Sequence, residues 1–197
     1  MASSHPVRPR RSDAQRNREQ LIAVARDAFA AADDTVALDR IARAAGVGIG
    51  TLYRHFPTRE ALVEAVYAAE LDALTAGAAD LLAGLPPDLA LRSWMDRYAD
   101  FAGRKRGIID TLRAGWTSGR LTTPVTRERI TALIDVILTA GVRAGVFRAD
   151  VSAADVTAML LGVFLSTAAN GTTDQARRLL DLTVDALRRP AQSSGVT

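Results

Sequence analysis

Apolar residues recur along this chain at three- and four-residue intervals, and nowhere do they alternate with period two for long enough to make a strand. The first stripe, Leu21, Val24, Ala25, Ala28 and Phe29, predicts a helix from about Asp13 to Ala31, closed by Asp33-Asp34. A short amphipathic stretch, Leu38 to Ala45, predicts a second helix. Gly46-Val47-Gly48 then turns into a third, Ile49 to Phe56, which Pro57 cuts off. Thr58 is placed to cap a long fourth helix, with Glu60 in its first turn, running through Leu62, Val66, Ala69 and Leu74 to Gly84. After Pro86-Pro87, Asp88 is the expected cap of a fifth helix whose inward stripe is Leu91, Trp94, Met95, Tyr98 and Phe101. A sixth element spans roughly 105–116. Pro124 suits the first position of a seventh helix, which buries Ile130, Leu133, Ile134, Ile137 and Leu138 and stops near Gly145. Ser152 with Asp155 reads as a capping box for an eighth helix, to about Ala169, and Thr172 with Gln175 repeats it for a ninth that Pro190 ends. The pattern predicts an all-α chain of about nine helices. A three-helix module over 13–59 precedes a larger helical domain over 60–190, with 1–12 and 191–197 as disordered ends.

The second and third helices, over about 37–56, carry the chemistry. Leu52 and Phe56 are four apart and face inward, with Ile49 near the same side. Thr51, Tyr53, Arg54 and His55 are left on or near the outer surface. Gly48 can cap the third helix, and Gly50, without a Cβ, lets its first turn approach another surface closely. A helix pair of this size, with hydrogen-bonding groups outward, fits the major groove of DNA. Hydroxyls and phenols reach phosphate oxygens, while Arg and His reach guanine acceptors. Periodicity alone fits an ordinary surface helix with a half-buried aromatic equally well.

Composition narrows the classes. Apolar residues make up 48% and aromatics only 5%, which favours helices over sheets. Cysteine is absent, so disulfides and thiolate chemistry are excluded and a reducing cytoplasm is the expected compartment. The first residues are polar and basic, without a secretory apolar region, and the uncharged run Val156–Thr173 is too polar at its end to span a bilayer. The net charge of +3 is unevenly placed: residues 1–18 hold Arg8, Arg10, Arg11, Arg16 and Arg18 against Asp13 alone. Such an arm is a solvated tail or, beside a helix-turn-helix, a phosphate or minor-groove arm. Enzyme readings find little. Gly46-x-Gly48-x-Gly50 lacks the third glycine of a dinucleotide fingerprint, since Thr51 follows and no strand precedes it. His5 and His55 are the only histidines, so no metal and no cofactor is expected.

Gly46-Val47 followed by Gly50-Thr51-Leu52-Tyr53-Arg54-His55-Phe56 and Arg59-Glu60-Ala61-Leu62, with Ile41-Ala42 before them, closely resembles the DNA-binding region of TetR/AcrR-type transcriptional regulators. The resemblance covers roughly residues 14–70; beyond it, only the helix count and order look like the family. It implies that the third helix enters the major groove of double-stranded operator DNA. Thr51 and Tyr53 match phosphate-holding positions, His55 a backbone or base contact, and Arg59 an anchor for the flanking strand. Two departures matter. Ala37 stands where family members commonly carry Ser or Thr, and Gly48, Ile49 and Gly50 offer few donors to bases. Direct readout then rests on Arg54 and Arg43, with apolar contact from Ile49.

The eighth helix carries no charge from Val156 to Ala169 and is apolar nearly all round, so it needs partners on all sides. Burial within one domain would supply them, and a dimer interface explains the pattern better. The expected contacts are Met159, Leu161, Gly162 and Leu165, joined by Leu180, Thr183 and Leu187 of the ninth helix. A symmetric four-helix interface is also what the resemblance implies. Trp94, Met95, Tyr98, Phe101, Trp116 and Phe164 are either ordinary core or the lining of an apolar effector pocket, which the resemblance favours. The combined expectation is a homodimeric repressor on a pseudo-palindromic operator, released by a small molecule. The alternative is a constitutive DNA-binding dimer without effector.

Overall fold

The computed structural model describes residues 10–31, 36–104, 126–170 and 173–189. They form nine α-helices: α1 Arg10–Ala31, α2 Leu38–Ala44, α3 Ile49–His55, α4 Arg59–Ala76, α5 Ala78–Gly84, α6 Pro87–Arg104, α7 Thr126–Arg143, α8 Ala153–Asn170 and α9 Thr173–Leu187. Among the described residues there is no strand, only an isolated antiparallel bridge between Phe147 and Arg188. The described residues divide into two compact units, one up to Ala69 and one from Glu70 onward. The boundary therefore runs through α4, beyond Arg59 where the sequence suggested it. Leu62, Val63, Val66 and Tyr67 are all buried, so the first half of α4 serves the core of the first unit.

In that unit α1 buries Leu21, Ala25 and Phe29, one turn apart, and keeps Val24 and Ala28 half-buried at the edges of the stripe. The turn after α2 has a clear cause. Gly46 takes φ +70, a left-handed conformation that a side chain resists. Its N–H then reaches the carbonyl of Arg43 (3.1 Å) and that of Val47 reaches Ala42 (3.0 Å), closing the helix in a Schellman motif. The start of α2 is barer: Ala37 is its N-cap and supplies no side-chain hydrogen bond. Thr58 caps α4 as expected, its Oγ1 accepting from the N–H of Ala61 at 3.2 Å.

In the second unit the expected single helix from 58 to 84 is two, broken at Gly77. A Cβ at Gly77 would lie 2.7 Å from Nη1 of Arg97, so the break is also a seat for that side chain. Trp94 donates its indole N–H to the carbonyl of Leu74 at 3.2 Å, satisfying one of the acceptors left open at the end of α4. Pro87, not Asp88, opens α6; it needs no N–H partner in the first turn, and Asp88 instead accepts from Arg188 at 2.8 Å. Helix α7 buries Ile130, Leu133, Ile134, Ile137 and Leu138 as its periodicity predicts. It closes on Gly145, φ +72, with the same pair of hydrogen bonds as α2. Phe147 then folds back onto Gly141, where an added Cβ would sit 2.0 Å from the ring. The capping box of α8 is formed: Ser152 Oγ accepts from the Asp155 N–H (3.2 Å) and the Asp155 carboxylate accepts from the Ser152 N–H (3.1 Å). Residues 10–12, expected in a disordered arm, belong to α1, which starts three residues before Asp13. The sixth element, the Pro124 start, Thr172 of the second capping box, the Pro190 stop, residues 1–9 and residues 191–197 lie outside the described residues.

Candidate nucleic-acid interface

Helix α3 is seven residues long, and its short length fixes which side chains can face outward. Leu52 is fully buried and Phe56 is 2% exposed, and together they seat the helix on the first unit. Burying each is worth roughly 1.5–3 kcal/mol. A rotation of 100° per residue then puts Tyr53, Gly50 and Arg54 on one outward arc, with Thr51 and His55 on its far flank and Ile49 beside Phe56 at its near edge. The observed exposure follows this. Ile49 is 41% and Tyr53 49% exposed, Gly50 and Arg54 are exposed, and Thr51 and His55 are half-buried. Ile49 thus lies near the side of Leu52 and Phe56, as the sequence suggests, and is nonetheless part-exposed at the start of the helix.

The N-terminal end of α3 is bare backbone. Gly48, the N-cap, accepts from the N–H groups of Thr51 (2.9 Å) and Leu52 (3.2 Å) through its carbonyl, with no side chain to help. Neither Gly48 nor Gly50 has any atom within 4 Å of where a Cβ would stand, and neither has a positive φ. Their lack of a side chain is therefore not required by this chain's own packing.

The cations around α3 differ in how far they are committed. Arg43 is exposed but holds Asp39 one turn away at 2.6 Å, a surface pair worth little that a competing phosphate can replace. Arg54 and Arg40 have no carboxylate partner among the described residues. Arg59 is a correction. It was expected to reach outward to a DNA strand, yet its guanidinium lies 5.1 Å over the Phe29 ring and donates to the carbonyl of Val36. That carbonyl precedes α2 and lies outside any helix, so a side chain must satisfy it. Arg59 is half-buried and serves the fold of the first unit.

The second-unit candidates also divide. Trp94, Met95 and Phe101 are buried, and Tyr98 and Phe164 half-buried. Tyr98 joins them: it stacks on Trp94 at 5.5 Å, lies 6.1 Å from Phe101 and meets Phe164 edge-on at 4.9 Å. Trp116 lies outside the described residues. A separate open groove of about 460 Å³ is lined by Arg127, Glu128, Thr131, Ala132, Asp135 and Ala153, and shares no residue with that cluster.

On α8, Met159, Leu161, Gly162 and Leu165 are exposed, Leu165 by 66%. The three residues nominated on α9 are not: Leu180, Thr183 and Leu187 are 1–3% exposed and fill this chain's own core. A second copy cannot reach them. The outward apolar residue of α9 is Leu182, 62% exposed, which the sequence reading passed over. No helix among the described residues is long and apolar enough to cross a membrane.

With this geometry in view, similarity to known proteins is specific. Residues 21–66 match the model of bacterial regulatory proteins of the tetR family, and residues 86–189 match a transcriptional regulator SbtR-like C-terminal domain. A TetR transcriptional regulator of Streptomyces coelicolor shares 42% identity, covering 88% of this chain and 99% of that one, with a TM-score of 0.76. A TetR regulator of Mycobacterium vanbaalenii shares 36%, covering 92% and 100%, with a TM-score of 0.71. An HTH-type transcriptional regulator of Staphylococcus aureus is 35% identical over 78 residues, 39% of this chain and 41% of that protein. The match to the Staphylococcus protein therefore spans about two fifths of its length. All three are transcriptional regulators, not enzymes.

Proposed function

This chain belongs to the TetR family of DNA-binding transcriptional regulators, and from that premise we propose that it acts as a homodimeric repressor which a small molecule releases from its operator. In this reading α3 enters the major groove, with Tyr53 and Thr51 on phosphates and Arg54 on a base. Two copies place their α3 helices one duplex turn apart, about 34–36 Å, on a pseudo-palindromic site. The observation that carries the dimer is the exposed apolar face of α8. Met159, Leu161 and Leu165 are 42–66% exposed on an uncharged stretch, and Leu182 on α9 is exposed as well. Apolar surface of this kind on a soluble helix marks an interaction site.

The effector reading rests on the cluster of Trp94, Tyr98, Phe101 and Phe164, apolar with half-buried edges at Tyr98 and Phe164. A ligand there needs only different affinities for two conformations, one with the α3 pair at the duplex repeat and one without. The full burial of Trp94 and Met95 favours the second reading, a constitutive dimer whose core is already filled. A melting-temperature screen with uncharged aromatic compounds separates the two, since a ligand of the folded state raises the midpoint. No shift with any compound, and no release of DNA, favours the constitutive dimer.

The dimer is tested by Leu161→Glu. A two-fold interface repeats each residue, so the substitution buries two carboxylates together, at a cost of several kcal/mol. Light scattering should report monomers, and affinity for an operator selected from random duplexes should fall with it. A variant that stays dimeric moves the interface elsewhere. A folded monomer with full operator affinity refutes the paired-groove mechanism.

A further inference from the structure

We infer that Arg18 on α1 is a phosphate-binding residue, docked on the end of the recognition helix so that the DNA-facing surface continues from α3 onto α1. The inference rests on the reading of α3 as that helix.

The guanidinium carbon of Arg18 lies 5.3 Å from the centroid of the Phe56 ring. Phe56 is buried and is the residue that ends α3. A guanidinium within about 6 Å of an aromatic centroid is attracted to the ring without committing its N–H groups to an oxygen acceptor. Other arginines of α1 are matched to carboxylates: Arg16 to Asp13, and Arg26 to Asp27. No carboxylate or carbonyl among the described residues accepts a hydrogen bond from Arg18, whose side chain is exposed. The fold therefore fixes the position of a cation and leaves its donors unmatched.

Position decides what those donors suit. Phe56 is the C-cap of α3 on its inward side, so the exposed Arg18 stands at the C-terminal end of that helix. A planar fork of donors at that end matches the paired oxygens of a phosphodiester better than a base edge. The arrangement also differs from a mobile surface arginine. Attraction to the Phe56 ring favours rotamers that hold the cation at this end of α3, so less freedom is lost on binding. The competing role is a staple between α1 and α3 that never meets DNA, and the salt dependence of binding tells the two apart.

The probe is a 30-base-pair GC-rich duplex of arbitrary sequence, titrated with the full chain by fluorescence anisotropy over a series of KCl concentrations. Arg18→Ala should lose about tenfold in affinity at low salt, as expected for a charge-assisted hydrogen bond. The slope of log K against log salt should become shallower by about 0.9 for each phosphate given up. Arg18→Lys keeps the charge and should recover the slope but only part of the affinity, because it cannot stack or bind in a fork. Where Arg18→Ala melts too low to titrate, Arg18→Met covers Phe56 without charge, and its slope is read in the same way. An unchanged slope in the uncharged variant overturns the inference and leaves Arg18 a staple. A wild-type chain that binds no duplex at any salt overturns the reading of α3 as well, so the two failures are distinguishable.

Discussion

Gly50→Ala should make the protein more stable and a poorer DNA binder at once. The stability half follows from the local backbone. Gly50 is the second residue of α3, has an ordinary helical conformation and is exposed, and an added Cβ meets nothing within 4 Å. Alanine removes the entropic penalty of a helical glycine, worth at most about 0.5–1 kcal/mol and less in a first turn. For a chain of this size each kcal/mol moves the melting point by roughly 2–4 °C, so an increase of about 1–3 °C is expected. The binding half follows from the outward arc. If the first turn of α3 lies against the groove, the new methyl occupies space that a base or sugar fills, and overpacking a close contact costs about 1–3 kcal/mol. That corresponds to about 5- to 150-fold in Kd. Melting followed by circular dichroism and anisotropy titration on a selected operator measure both halves on one sample. Wild-type affinity in a stabilised variant would refute the close approach. A fall in melting point would instead show that the backbone at Gly50 is restrained by the fold.

Four further outcomes are expected. Tyr53→Phe should weaken binding to every duplex alike by about 1 kcal/mol, whereas Arg54→Ala should cost about 1–3 kcal/mol at one position of each half-site and relax specificity there; a gel-shift panel of operator variants distinguishes them. Gly141→Ala forces a methyl into the Phe147 ring and should destabilise by about 1–3 kcal/mol, and a wild-type melting point would mean that the ring moves aside without penalty. The hydrogen bond from Arg188 holds the Asp88 carboxyl below its ordinary pKa, so its stabilisation is present above the unfolded value of 3.8 and disappears as pH falls through the lower folded value. Asp88→Asn should melt below wild type at pH 7, with the gap closing in acid; a gap constant with pH would contradict this.

What could be read from the sequence was what one helix determines by itself. The spacing of Leu52 and Phe56 sets the inward side of α3, and Ser152 and Asp155 lie close enough in the chain to find each other without outside help. Errors came where a second element decides. The alanine-rich run after Arg59 suits a continuous helix, and nothing local beyond Gly77 itself marks the break beside which Trp94, from α6, takes the carbonyl of Leu74. The spacing of Leu180, Thr183 and Leu187 marks a buried stripe, but periodicity does not say whether a stripe faces its own core or another copy. Arg59 looked like other outward cations because nothing local reveals the carbonyl of Val36 or the face of Phe29. Gly141 gave no signal at all, since the ring it admits belongs to the chain beyond the next turn.

The two left-handed glycines have unequal mutational prospects. A single-base change of a glycine codon yields Ala, Ser, Cys, Trp, Val, Arg, Asp or Glu, and of these only Asp enters the left-handed region with any ease. Asparagine, the other tolerated residue, lies two base changes away. At Gly145 the step to Asp is open, because the turn is exposed and Arg189 stands 3.9 Å from where a Cβ would sit. At Gly46, beside α3, the same step adds an anion next to the helix proposed to bind phosphates. One glycine is thus held by backbone conformation alone, and the other by conformation and charge together. Lineages that drift at position 145 should therefore still keep glycine at 46.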